Sequence, residues 1–177
     1  MLKQRLQMSA SEVQSLSFKI QEKLMQSSFW PKQGGIALYS SIKNEVKTEL
    51  LFQTALEQAV HVYFPRVEQG INFYEVHGPE DLQKGSWGIL EPHIDCTKLT
   101  TENPLNLLIV PGVAFSKSCQ RVGYGQGFYD QFVSSLNTVP HIVALAYESQ
   151  ICDMFDVDEW DQPLYAIITE KNIYTQD

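Results

Sequence analysis

Between Arg121 and Asp130 the chain reads Arg-Val-Gly-Tyr-Gly-Gln-Gly-Phe-Tyr-Asp, three glycines alternating with bulkier residues between an arginine and a Tyr-Asp pair. Gly123, Gly125 and Gly127 permit positive φ and close backbone approach, so several amide N–H groups can converge on an anion, and Arg121 adds a fixed positive charge. These are the parts of a phosphate cradle. The positive charge must be local, because 13 Lys and Arg stand against 21 Asp and Glu, a formal net charge of −8. The run meets neither common nucleotide signature. It has no Gly-Lys-Ser/Thr triplet, and its glycines alternate strictly instead of following Gly-x-Gly-x-x-Gly directly after a strand. Taken alone, it also admits the reading of a flexible turn entering a helix.

Other chemistries find less support. The acidic balance, with no Lys/Arg cluster, argues against a nucleic-acid partner. Cys96, Cys119 and Cys152 are odd in number and widely spaced, which fits reduced thiols, and His93 three residues before Cys96 lacks the second pair of ligands that a zinc site needs. The first residues, Met1 to Leu6, have no apolar signal core, and no apolar run is long enough to span a bilayer. The expectation is a cytoplasmic protein without a membrane partner.

A length of 177 residues with 44% hydrophobic content fits one domain over residues 1–177. Val13, Leu16, Ile20 and Leu24 recur at helical steps, so a helix is expected from Ser11 to about Met25. A strand follows over Ile36 to Tyr39, then a loop over Ser40 to Asn44 and a helix from Thr48 to Ala59 with Thr48 as N-cap. His61–Val67 and Ile71–Val76 read as a hairpin, and His77 to Asn106 as one long irregular stretch. Leu107 to Val110 is apolar throughout and stops at Pro111-Gly112, as a central strand covered on both faces would. A helix from Phe128 to Leu136, a strand from His141 to Tyr147, an acidic segment from Asp153 to Asp161 and a last strand from Tyr165 to Thr169 complete the order. The pattern predicts a three-layer α/β/α fold with a mostly parallel, Rossmann-like sheet, and the glycine run beyond the strands' C-terminal ends.

Leu108-Ile109-Val110-Pro111-Gly112-Val113-Ala114-Phe115, followed by Arg121 to Asp130, closely resembles the signature of the 5-formyltetrahydrofolate cyclo-ligase family. Collinear counterparts extend from about Arg5 to Ile173. They include Glu45-Val46-Lys47-Thr48, Phe64-Pro65-Arg66-Val67, Trp87 to Pro92, Ala144 to Gln150, Asp161 and Ile167 to Glu170. The resemblance implies an enzyme that uses ATP and Mg²⁺ to convert 5-formyltetrahydrofolate into 5,10-methenyltetrahydrofolate with release of ADP and phosphate, acting as a monomer. It implies ATP contacts for Arg121, Val122, Gly123, Tyr124, Gly125, Gln126, Gly127, Phe128 and Tyr129, with Arg121 and Tyr129 in the catalytic role. Folate contacts fall to Glu45, Trp87 and Tyr124 to Phe128, and Mg²⁺ to Asp130 and Asp161. By residue type alone, Asp130 is an acid in a helix's first turn, Asp161 one of an acidic run, and Trp87 a core residue.

Several positions depart from the family pattern. Ser116 stands for its aspartate, Cys119 for its glycine, Val122 for its leucine and Phe128 for its first tyrosine. Lys47 takes a usually acidic position and Trp160 a frequent histidine's. The family's N-terminal basic stretch lies upstream of the segment matching Arg5 to Ser9, so either translation begins earlier, or Lys3 and Arg5 take over part of its contact with phosphate, or nucleotide affinity is reduced. Two other readings share the fold: a folate-binding protein with impaired catalysis, and an enzyme of sugar phosphates or acyl-CoA.

Overall fold

The computed structural model describes residues 1–85, 88–100, 102–153 and 162–176. Its helices are α1 (Leu2–Leu6), α2 (Ala10–Met25), α3 (Glu49–Glu57) and α4 (Phe128–Ser134). Its strands are β1 (Gly35–Ala37), β2 (His61–Val67), β3 (Ile71–Glu75), β4 (Leu82–Lys84), β5 (Leu90–Pro92), β6 (Leu105–Val110), β7 (Ala114–Ser116), β8 (Arg121–Val122), β9 (His141–Leu145), β10 (Ile151–Cys152), β11 (Ala166–Ile168) and β12 (Ile173–Thr175). The main sheet runs β12-β11-β9-β6-β1-β2-β3, parallel except for its two edge strands. Among the described residues no helix is long and apolar enough to cross a membrane.

β6 is the middle strand, and its unbroken apolar sequence follows from that place. Leu107 and Ile109 face a core shared with Ile20, Leu24 and Leu51 of α2 and α3, while Leu108 and Val110 face a second core with Phe73, Phe115 and Val133. Alternation still governs the side chains, but both faces are covered, so both sets must be apolar. α2 starts in a capping box: Glu12 N–H donates to Ser9 Oγ at 3.3 Å, and Ser9 N–H donates to Glu12 Oε2 at 2.9 Å.

The strand order decides where a ligand can sit. β1 leads through α3 to β2 on one side, whereas β6 leads through α4 to β9 on the other. The segments leaving β1 and β6 therefore diverge at their C-terminal ends, which opens a crevice at this reversal of direction.

The expected elements recur, with differences that include the small sheet of β7, β8 and β10. α1 was not expected, because five residues are too few to print a helical period, and neither was the antiparallel edge strand β12. The stretch from His77 to Asn106 contains a hairpin, β4 with β5, in place of uniform loop. Thr48 occupies the N-cap of α3, but its Oγ1 donates to Tyr39 O at 2.7 Å and caps nothing. The hydroxyl fastens the helix start to the segment just beyond β1 instead.

Truncating Ile109 to Ala removes a side chain that helices and neighbouring strands enclose completely. The expected loss is about 2–5 kcal/mol in equilibrium denaturation, and a loss of under ~1 kcal/mol would contradict the central placement of β6.

Candidate active site

The segment after β1 carries Glu45, which is 4% exposed. It reaches that position through two consecutive left-handed residues, Lys43 (φ 49) and Asn44 (φ 57). Each costs on the order of 1 kcal/mol for a residue with a Cβ, so neighbours must hold the loop. Asn44 Nδ2 donates to the carbonyls of Arg5 and Met8, each at 3.1 Å, while Arg5 Nε donates to Lys43 O at 3.1 Å. Tyr39 Oη closes the far side by donating to Val46 O at 2.7 Å.

Opposite lies the turn after β6. A Cβ on Gly112 would come within 2.5 Å of the Phe115 ring, so only glycine fits. Its carbonyl accepts Arg5 Nη1 at 2.8 Å and Gln150 Nε2 at 3.1 Å, and Gln150 also binds Val113 O at 3.1 Å. The two segments are thus tied across the crevice by one arginine from α1.

The glycine run closes the third side. Gly125 (φ 88) and Gly127 (φ 63, the N-cap of α4) stand in the left-handed region, as the sequence requires. Residues 124–127 are exposed, and the amide N–H groups of residues 123–127 have no hydrogen-bond acceptor among the described residues. Tyr124 folds back from this run: its hydroxyl accepts from Arg5 Nη2 and donates to Glu45 Oε1 at 3.0 Å, and Lys43 Nζ lies 5.0 Å from its ring centre. Arg5 Nη2 also approaches Glu45 Oε1 at 3.7 Å.

Burial pushes the Glu45 carboxyl above its ordinary range, against the pull of the Ile42 amide at 3.0 Å, Arg5, the Tyr124 hydroxyl and Lys43. A raised folded value means that Glu45 contributes least stability where it is charged: its contribution falls as pH rises from the ordinary glutamate value through the folded one. Burial and the nearby Glu45 raise the Tyr124 hydroxyl as well, and Tyr129 well above its ordinary value for the same two reasons. Both phenols stay protonated at neutral pH and serve as hydrogen-bond donors.

At the start of α4, Arg121 and Asp130 are bonded to each other. Nη2 of Arg121 reaches the two carboxylate oxygens at 3.0 and 2.8 Å, and Asp130 Oδ1 also accepts the Gln162 amide at 3.3 Å. The Tyr129 ring lies between this pair and the core, 5.7 Å from the guanidinium and edge-on to Phe73 at 6.2 Å. Among the described residues no three His, Cys, Asp or Glu converge on a metal-sized point.

Of the residues expected from sequence, Glu45, Tyr124 and the glycine run come together, and Arg121, Tyr129 and Asp130 form an adjoining group. Trp87 and Asp161 lie outside the described residues, as does Trp160. The alternative that Arg5 contacts phosphate does not match its placement: Nε, Nη1 and Nη2 each reach a partner on the two segments, Tyr124 or Glu45, and the residue is 1% exposed. Its place in the site, and that of Gln150, carried no local sequence signal. Two departures from the family pattern acquire a physical sense. Cys119 has φ 62, a conformation that explains a glycine there, and Ser116 Oγ accepts the Gln120 amide at 3.2 Å, as a short carboxylate would.

The chain was compared with known proteins. The 5-formyltetrahydrofolate cyclo-ligase family profile matches residues 1–170. A mouse 5-formyltetrahydrofolate cyclo-ligase is 30% identical over 185 residues, covering 97% of this chain and 91% of its own length. The Haemophilus influenzae protein of that name is 33% identical over 138 residues, covering 75% and 74%. The solved structure of Aquifex aeolicus 5,10-methenyltetrahydrofolate synthetase superposes with a TM-score of 0.86 at 33% identity, covering 98% of this chain and 88% of that one. With its mostly parallel sheet, its glycine run and these similarities over nearly its whole length, the chain belongs to the 5-formyltetrahydrofolate cyclo-ligase family of folate-metabolism ligases.

Proposed function

We propose that this chain, acting as one domain, uses ATP to close 5-formyltetrahydrofolate to 5,10-methenyltetrahydrofolate, releasing ADP and phosphate. The observation that carries the reading is the 3.0 Å bond from Tyr124 to Glu45, which brings a run of free amides suited to phosphate against a carboxylate suited to pterin N–H groups. A formamide oxygen is a poor leaving group. In the proposed reaction it attacks the γ-phosphorus, and the bond from that phosphorus to the ADP oxygen breaks. N10 then attacks the formyl carbon and loses its proton to solvent, and the carbon–oxygen bond breaks with phosphate as the leaving group.

Positioning and charge neutralisation are what the protein must supply to such a transfer. The amides of residues 123–127 face the transferred group, and Arg121, with its guanidinium released from Asp130, meets a phosphate oxygen. Glu45 orients the pterin, and Tyr129 donates a hydrogen bond from the core side. Asp130 is a part-buried hard oxygen donor beside the run. That suits Mg²⁺, which usually takes one or two carboxylates together with nucleotide phosphates and water, so a cluster of three protein ligands is not needed. Asp130 would hold the ion, with Asp161 as its companion, and the ion would neutralise charge on the phosphates.

Mixed with Mg-ATP and 5-formyltetrahydrofolate, the folded protein is expected to generate the methenyl absorbance, and its absence at high protein concentration would refute the reading. Arg121→Ala should raise the KM for ATP by about tenfold or more while changing the folate KM less, as loss of a charged hydrogen bond implies. Equal loss for both ligands would move Arg121 off the phosphate. Asp130→Asn should abolish the Mg²⁺-dependent gain in ATP affinity measured by calorimetry, while leaving metal-free ATP binding unchanged or tighter because Arg121 is freed. Retention of the full Mg²⁺ gain would take Asp130 out of the metal site.

A further inference from the structure

We infer that Arg5 is a positioning residue of this site: its buried guanidinium sets the Glu45 carboxylate and the two segments beside it in the arrangement that receives the pterin edge of the folate. The inference rests on reading Glu45 as the folate contact.

Burying a guanidinium costs several kcal/mol unless its donors are matched. Here every partner belongs to the site. Nε binds Lys43 O, two residues before Glu45; Nη1 binds Gly112 O across the crevice; Nη2 binds the Tyr124 hydroxyl and faces Glu45 Oε1. An arginine serving only to attach α1 to the core would have no need of the single carboxylate on the loop, nor of a partner on the glycine run.

The hydrogen-bond directions are consistent. Arg5 can only donate, so the Tyr124 oxygen accepts from it and must turn its own hydrogen to Glu45. Glu45 Oε2 takes the Ile42 amide at 3.0 Å, which leaves lone pairs on both oxygens for two further N–H donors. Tyr124 sits on an exposed run and can yield Oε1 to a ligand, whereas Arg5, fixed by two carbonyls, cannot move with it.

The groups facing Glu45 are Arg5 from α1, Lys43 from its own loop, Tyr39 beyond β1, Tyr124 from the glycine run, Tyr129 from α4 and Tyr147 beyond β9. Only the first two are cations, and Lys43 is exposed. Without Arg5 the burial cost on Glu45 is opposed chiefly by the Ile42 amide, so protonation of the carboxyl extends to higher pH.

The test is folate binding by calorimetry with the full chain, from about pH 4.5, near the ordinary glutamate value, to about pH 8.5, for wild type, R5Q, R5K, E45Q and R5Q/E45Q. R5Q should weaken folate about tenfold at neutral pH, more at low pH than at high, with ATP affinity within about threefold. R5K keeps the charge and loses the fork, so it should weaken folate by a few fold while keeping the wild-type pH profile. In the E45Q background, R5Q should add under about threefold, because the group it positions is already changed. An R5Q effect that is equal in both backgrounds, independent of pH or shared with ATP would overturn the inference. If R5Q does not fold, R5K decides by the same comparison in the two backgrounds. If E45Q alone leaves folate affinity intact, the Glu45 reading fails, whereas a weakened E45Q with a fully additive R5Q removes the role of Arg5 alone.

Discussion

One cation joining the segments that leave two paired parallel strands is the constraint on which the site depends. β1 and β6 pair side by side, but their onward connections depart in opposite directions, and nothing in the sheet's hydrogen bonding joins the two departing segments. Arg5 joins them from outside the sheet. Its forked donors suit two carbonyls and a hydroxyl at once, which an ammonium on a flexible stem would match poorly. The left-handed pair Lys43 and Asn44 is tolerable because it is tied to the same short helix through Asn44.

The second guanidinium, Arg121, solves the opposite problem. In an acidic protein an exposed cation would otherwise associate loosely with whatever carboxylate came near. Here it has a defined resting partner in Asp130, held from the other side by the Gln162 amide. Under the proposed function, a nucleotide would have to offer both an anion for the arginine and a cation for the carboxylate, so the exchange would favour a metal-bearing phosphate over a bare anion.

Much of the sheet was legible in the sequence because burial on two faces leaves a mark on consecutive residues. Leu107 to Val110 and the hairpin of β2 and β3 are examples. α2 was legible through its period, though its Ser9–Glu12 box went unread and the helix begins at Ala10. β12 and the β4–β5 hairpin were not, since exposed short strands alternate over too few residues to register. The glycine run could be read as an anion loop from residue type alone. The family resemblance supplied Glu45, whose neighbours at the site lie 40 and 79 positions away in the chain. Arg5 could not be found that way: an arginine near a terminus reads as solvated, and its burial arises only when segments distant in sequence close over it.

α1 has five residues, far below the dozen or so at which a helix persists in water, so it is ordered only by what it grips. It grips the segments that bound the crevice. Opening of the amino-terminal turn would therefore release the ties on both segments at once, so the stability of that turn and the order of the crevice are linked through the same few hydrogen bonds.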